Sequence, residues 1–235
     1  MLENGFGQKI GQPVANWSQR TFPGDIVLEG KYVRIEPLES NKHTDELYEA
    51  YSVAADGRDW TYMFHGPFEA KSMFEEYIKV AEQSIDPKHF AIIDLQSGKA
   101  LGMFSLMRVD ISHGVIEIGN VAFSPMLQRT PASTEAHFLM MQYVFEELGY
   151  RRYEWKCDSL NEPSRKAALR LGFYHEGIFR QAVVYKGRTR DTAWFSIIDN
   201  EWPKCKFAFI DWLDPTNFDA KAQQIKSLSA IRKGV

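Results

Sequence analysis

A mixed α/β fold, with helices packed on one mixed β-sheet, is what three observations on this 235-residue sequence predict. Runs of apolar and polar alternation read as strands, and they bracket helical segments without the regular βαβα order of a doubly wound sheet. The strongest helical pattern, STEAHFLMMQYVFEEL, lies between two such runs. Apolar residues make up 44% and charged residues 25%, enough for a core and too apolar for disorder. With 28 Lys and Arg against 31 Asp and Glu the net charge is −3, which gives no general attraction for duplex nucleic acid or an anionic membrane. The length suits one large domain carrying extensions.

Residues 1 to 27, punctuated by Gly5, Gly7, Gly11, Pro13, Pro23 and Gly24, read as an irregular N-terminal arm pinned by Trp17 and Phe22. LEGKYVRIEPL alternates from Leu28 to Pro37 and reads as one strand. Asn41 or Thr44 can cap a helix through Tyr51, and a second helical pattern covers residues 69 to 84. The aromatic stretch DGRDWTYMFHGPF between them is a loop. HFAIIDL and LGMFSLMRV, joined at Ser97-Gly98, form a hairpin, and GVIEIGNVAFS is the next strand, ending at Pro125. Ala136, Leu139, Met140, Tyr143 and Val144 then recur at helical spacing until Gly149 closes the helix. YRRYEWKC reads as a strand and NEPSRKAALRLG as a short helix stopped by Gly172. Residues 173 to 186 and 189 to 198 form a hairpin turning at Gly187. After Trp202-Pro203 a tail with six Lys or Arg against three Asp ends in an amphipathic pattern of Ile225, Leu228 and Ile231.

Several function classes lose their support. The sequence has no GxxxxGK[ST], no GxGxxG after a strand, no HExxH and no GxSxG. Six histidines stand one at a time, and Cys157 and Cys205 are too far apart for paired zinc ligands, so no metal is expected and both cysteines read as reduced thiols. No apolar segment behind a basic start and no run of about 18 apolar residues is seen, and a cytoplasmic location is the expectation.

Two places could carry chemistry. The strand-to-helix junction NVAFSPMLQRTPASTEA opens the best helix, and a helix N-terminus offers free N–H groups and partial positive charge to a phosphate. Ser133 or Thr134 as an ordinary cap would explain the same residues. In NEPSRKAALRLGF, Asn161 and Ser164 straddle a helix start, where capping or a functional role are both open.

Together, in this order and one strand apart, the two segments resemble the GNAT superfamily of acyl-CoA-dependent N-acyltransferases. The closest resemblance is to Rim-type ribosomal-protein N-terminal acetyltransferases and to the acetyltransferase domain of a microcin self-immunity protein. It covers about residues 28 to 202 and rests on LEGKYVRIEPL, EIGNVAFSP, STEA, NEPSRKAALRLGFYHEG with the following Arg180, and KGRTRDTAWFSIID. One departure stands out: the family's [QR]xxGx[GA] loop is here Gln128-Arg129-Thr130-Pro131-Ala132-Ser133, with proline and serine in the glycine positions. Pro131 has no N–H to donate.

The resemblance implies a splayed sheet of about seven strands with helices on both faces, and three parts: an arm (1–27), an acyltransferase domain (28–202) and a C-terminal extension (203–235). It implies acetyl-CoA as co-substrate and a primary amine as acceptor, either a protein N-terminus or a small molecule such as an aminoacyl nucleotide. Self-association into a homodimer is compatible with it. The pantetheine arm would pair with Val121 and Phe123, the latter's N–H facing the reaction's oxyanion, while Asn161 holds the pantetheine amide. Gln128, Arg129, Thr130, Ser133 and Thr134 would meet the pyrophosphate. Ser164 would assist the departing thiolate, a role that other members often give to a tyrosine. Glu117, among Val115, Ile116 and Ile118, could be a base with a raised pKa or a carboxylate paired with an arginine. Trp60, Tyr62, Phe64 and Trp155 could stack on a planar acceptor, or the loop rings could simply pack onto the core. The competing class is a non-catalytic module of the same fold that binds a ligand or partner.

Overall fold

The computed structural model describes residues 2–234; Met1 and Val235, the outer ends of the expected arm and extension, lie outside the described residues. In chain order the strands are β1 (Leu2–Glu3), β2 (Lys9–Ile10), β3 (Leu28–Glu29), β4 (Val33–Pro37), β5 (Lys88–Asp94), β6 (Ala100–Asp110), β7 (Val115–Phe123), β8 (Arg152–Asp158), β9 (Tyr174–Tyr185) and β10 (Arg188–Ile198). The helices are α1 (Ser40–Ser52), α2 (Lys71–Gln83), α3 (Pro131–Gln142), α4 (Glu162–Leu171), α5 (Trp202–Leu213) and α6 (Leu228–Lys233). A mixed sheet of eight strands, in the order β3-β4-β5-β6-β7-β8-β10-β9, organises the molecule, and β1 and β2 pair separately in the arm. Every pairing in it is antiparallel except β7 with β8.

Alternation along β5 sends its side chains to opposite faces. Phe90 and Ile92 join a core with Ala136, Met140 and Val144 of the α3 segment and Phe209 of α5. Ala91 and Ile93 join a second core with Leu47 of α1 and Phe74 and Ile78 of α2. Helices therefore cover both faces of the sheet, as the resemblance implied.

The stretch from Leu28 to Pro37 is not one strand. Leu28 pairs with Ile35 and Glu29 with Arg34, so the chain folds into a hairpin. The cause lies far away in sequence: buried Glu135 of α3 accepts the N–H groups of Lys31, Tyr32 and Val33 at 2.8, 2.6 and 2.9 Å. A Cβ at Gly30 would sit 2.5 Å from the Glu135 carboxyl carbon, so only glycine fits this turn.

Helix starts also differ from expectation. Glu39, without a side-chain cap bond, precedes α1, and Thr44 instead donates its hydroxyl to the Ser40 carbonyl. The N-cap of α3 is Thr130, whose Oγ1 accepts the Ser133 N–H at 3.2 Å ahead of Pro131 at the first helical position. α3 leads into a π turn over Tyr143–Glu147. In the tail, α5 is a helix the sequence reading lacked, with Trp202 and Phe209 packing on Phe138. Leu228 and Ile231 are buried in α6, whereas Ile225 stands exposed before it. Trp17 of the arm donates its indole N–H to the Ser112 carbonyl, beneath the Arg20 guanidinium. Among the described residues no helix is long and apolar enough to cross a membrane.

Candidate active site

β7 and β8 run parallel in register only from Val115–Ile118 against Arg152–Trp155. Beyond that point each strand keeps its outer partner, Phe123 facing Gly102 of β6 and Cys157 facing Ala193 of β10, while the two inner edges separate. The Ser124 N–H bonds the Leu101 carbonyl, so the antiparallel alternation turns the Phe123 amide away from β6, toward the gap. On that side the Gln128 side chain donates to the Phe123 carbonyl at 2.8 Å. The gap opens into a cleft of about 1270 Å³, lined from both strands, from the start of α3, from α4, and from the aromatic loop.

One end of the cleft is positively polarised. The α3 N-terminus faces it, Arg129 adopts φ +61°, and the Thr134 hydroxyl accepts a bond from Arg170 of α4 at 3.0 Å. The Arg170 guanidinium lies 4.7 Å from the Trp212 ring centroid, and no carboxylate comes within 4 Å of it among the described residues. Burial and the neighbouring Arg232 both push its pKa down. Trp212 donates to Gln224 at 2.8 Å and meets Phe218 edge to face, so the segment after α5 folds back along the cleft. Sequence reasoning left this tail without a role. Ser133 is turned inward, its hydroxyl bonded to the Thr130 carbonyl.

At the middle of the cleft the Asn161 carbonyl oxygen caps α4 by accepting the Ser164 N–H at 3.1 Å. The Ser164 hydroxyl is therefore not the cap: its oxygen accepts the indole N–H of buried Trp155 at 3.0 Å and lies beside the Cys157 thiol, whose pKa burial raises. Trp155, considered above as an acceptor-stacking ring, lies in the floor of the cleft between His137 and Phe173. His137 is buried with its Nδ1 unpartnered, and desolvation holds it neutral with a pKa of about 3.

Glu117 is buried on β7 and meets Lys156 at 2.8 Å and Arg108 at 3.3 Å. Burial pushes its carboxyl up, against the pull of those two cations. The carboxylate is thus paired, with Lys156 as well as with an arginine, while burial raises its pKa. Lys156 also bonds Glu154 at 2.6 Å and stands 3.9 Å over the Trp194 ring.

The aromatic loop roofs the other end. Trp60 packs edge to face on Tyr51 and Phe68, Tyr62 donates to the Leu160 carbonyl at 3.2 Å, and half-exposed Phe64 faces Tyr185 at 5.5 Å. Lys186 and Arg188, at the tip of the β9–β10 hairpin, hold the loop by its carbonyls. Among the described residues no cluster of three or more His, Cys, Asp or Glu is placed to hold a metal.

Comparison with known proteins agrees with this geometry. The family model described as "Acetyltransferase (GNAT) domain" matches residues 33–174. The crystal structure of a GCN5-related N-acetyltransferase from Brucella melitensis is 51% identical, covers 94% of this chain and 100% of that one, and superposes with a TM-score of 0.92. A structure from Chromobacterium violaceum ATCC 12472 assigned to the GNAT family is 37% identical, covering 83% of this chain and 98% of that one with a TM-score of 0.77. Among curated relatives, the uncharacterized N-acetyltransferase YnaD of Bacillus subtilis (strain 168) is 29% identical over 86 residues, 37% of this chain and 50% of its own. YdaF of the same organism, named a candidate ribosomal N-acetyltransferase, is 31% identical over 108 residues, 46% of this chain and 58% of its own. The chain thus spans only about half the length of these two relatives. The splayed parallel pair, the helix start beyond it and the matched family model lead to one conclusion: this chain belongs to the GNAT acetyltransferase family.

Proposed function

We propose that the protein is an acetyl-CoA-dependent N-acetyltransferase in which a primary amine attacks the thioester directly. The observation that carries this reading is the gap between β7 and β8, with the Phe123 amide on one edge and the Ser164 hydroxyl near the other. A pantetheine arm fits there as an added strand along Val121 and Phe123, with Asn161 beside it. The nucleotide's phosphates fit the α3 N-terminus. Pro131 occupies the first helical position, which suits the helix but removes one of the orphan N–H donors that such a start offers an anion. The N–H groups of Arg129, Thr130 and Ala132, the guanidinium groups of Arg129 and Arg170 and the Thr134 hydroxyl remain to meet the anion. Gln128 holds the Phe123 carbonyl and so sets the strand end that meets the thioester.

In the reaction the amine nitrogen bonds the thioester carbon and the carbonyl oxygen takes up negative charge, which the Phe123 N–H stabilises. Collapse breaks the carbon–sulfur bond. Trp155 occupies a lone pair of Ser164, which leaves its O–H to donate, to the neighbouring Cys157 sulfur or, in the reaction, to the departing thiolate. The proton lost by the amine passes to Glu117 or through it to solvent. On this reading the tail after residue 202 completes the cofactor wall of the catalytic domain through Trp212 and Phe218.

A non-catalytic ligand-binding module is favoured only by the phosphate loop, where Pro131 lacks a donor and the Ser133 N–H is already taken by Thr130. Thermal unfolding with acetyl-CoA separates the two. A ligand held only by the native state at a hundredfold excess over Kd adds about 2.7 kcal/mol. The enzyme reading expects a clear rise in Tm together with amine-dependent release of CoA thiol. An unchanged Tm at millimolar acetyl-CoA overturns it.

A further inference from the structure

Three consecutive inward positions on β10 carry buried polar atoms that nothing in the protein satisfies: Arg190 Nε, Thr192 Oγ1 and Trp194 Nε1. All three residues line the cleft, Arg190 beside Phe64 of the aromatic loop and Trp194 beside Lys156. Arg190 is the most telling. It is only 7% exposed, yet among the described residues no carboxylate lies within 4 Å of it. Asp158, the acid on the adjoining strand, is engaged by the Tyr185 hydroxyl at 2.8 Å and the Leu160 N–H at 2.9 Å. The guanidinium is held between rings instead, 5.4 Å from the Phe64 centroid and 5.9 Å from that of Tyr185. A guanidinium flanked by aromatic rings keeps its N–H edge free for a partner.

Taking an arginine out of water without a counter-ion is strongly unfavourable, and native proteins pair such charges or present them to a ligand. Arginine and the tryptophan indole can only donate, so whatever satisfies this row must bring acceptor oxygens. The β9 backbone is shaped around the same place: pairing slips between Arg190 and Thr192, and the Gln181 N–H is tied to the Asp191 carboxylate at 2.7 Å.

We infer that the amine acceptor carries an oxyanionic group, a carboxylate or a phosphate, that binds Arg190 beneath the aromatic loop, with Thr192 and Trp194 donating to further acceptor atoms of the same molecule. This rests on the N-acetyltransferase reading and narrows its substrate class. An uncharged peptide N-terminus does not offer the group that the row requires.

The test is an acetylation competition in a library of primary amines in which each carboxylate- or phosphate-bearing member is paired with a neutral twin, an amide or an alcohol. Products are read by mass spectrometry, and acetyl-CoA binding is measured separately by calorimetry. The wild-type protein is expected to favour the charged twin by at least about tenfold in kcat/KM, since a guanidinium–oxyanion pair is directional and charge-assisted. The carboxylate and phosphate arms show which oxyanion it takes. In Arg190→Gln the charged twin's kcat/KM should fall further than the neutral twin's, taking the preference to near unity, and Arg190→Lys should lie between. In the ligand-free protein Arg190→Gln should hold or raise Tm, because it removes an uncompensated charge. Equal rates for the twins, a preference for neutral amines, an equal loss for both twins in Arg190→Gln, or a lowered Tm with the preference intact would each overturn the proposal, the last two leaving Arg190 a packing residue whose donors water satisfies. So would acetylation of no library member by a protein that binds acetyl-CoA. Failure to bind acetyl-CoA at all counts against the enzyme reading instead.

Discussion

Replacing Ser164 by alanine is the sharpest test of the proposed chemistry, and the structure changes what it should show. Asn161, not Ser164, caps α4, so the cap survives the substitution. What is lost on the ground-state side is the acceptor for the Trp155 indole N–H, a 3.0 Å bond inside a residue that is 5% exposed. Leaving that donor unsatisfied should cost about 1–3 kcal/mol of stability. On the transition-state side the variant loses a donor to a developing thiolate, worth about 1.5–3 kcal/mol, or roughly 10- to 150-fold in kcat. Stability alone therefore cannot distinguish the roles, but a pair of variants can. Trp155→Phe removes the same indole bond and leaves the hydroxyl in place. Denaturant titration gives each variant's stability, and CoA release normalised to folded protein gives kcat. Both variants should be destabilised, and only Ser164→Ala should lose kcat by tenfold or more. A Ser164→Ala protein with full kcat per folded molecule, or equal kcat losses in the two variants, would refute the assignment.

Two further outcomes follow from the cofactor end and from a buried histidine. Arg170→Gln should weaken acetyl-CoA binding by about tenfold or more while leaving acetyl-pantetheine binding unchanged, because the contact proposed is with phosphate; calorimetry with both ligands checks this, and equal losses would place Arg170 elsewhere. His137 is held neutral near a pKa of about 3 by desolvation, against about 6.5 in an unfolded chain, so the stability it permits is complete above pH 6.5 and is lost as pH falls toward 3. Between pH 7 and 5 that loss is about 2 kcal/mol. The variant His137→Phe, packed among Phe104, Phe123 and Trp155, should flatten the pH dependence of unfolding over this range by about one proton, and an unaltered slope would contradict it.

Much of the fold is legible in local pattern, and the misses share a cause. The α3 start is visible in sequence as a phosphate-type junction, yet periodicity, which sets in at Ser133 and Thr134, points to the wrong cap. Thr130 is the residue that caps, since its hydroxyl reaches the Ser133 N–H and it is followed by a proline already preset for the first helical position. The hairpin at Leu28 reads as one strand in local pattern because its cause, the Glu135 carboxylate, acts from more than a hundred residues away. Sequence shows that STEA contains a glutamate but not which backbone it bonds. Trp155 and Ser164 were named separately, one for stacking and one for chemistry, whereas the fold joins them in a single hydrogen bond. Arg190 left no signal at all: an arginine in an alternating strand looks solvent-facing, and only its burial without a carboxylate sets it apart.

The distribution of charge along the cleft bears on how one site could handle two ligands. Among the described residues lining the cleft, Arg129 and Arg170 at the α3 end and Arg190 beneath the aromatic loop have no carboxylate within 4 Å, while the middle is compensated, Glu117 and Glu154 balancing Lys156 and Arg108. A cleft that was cationic throughout would hold the nucleotide's phosphates in many positions; on the proposed reading, unpaired arginines at its two ends, separated by a neutralised segment, give each anion its own place. On the proposed mechanism the compensated middle is also where the amine loses its proton. There an ammonium would meet cations already matched by carboxylates, so the proton can leave without an uncompensated charge forming between the two ligands. Under that mechanism the burial and the pairing of Glu117 would act together: burial raises its affinity for a proton, and Lys156 keeps the ionised form from becoming too costly to regenerate.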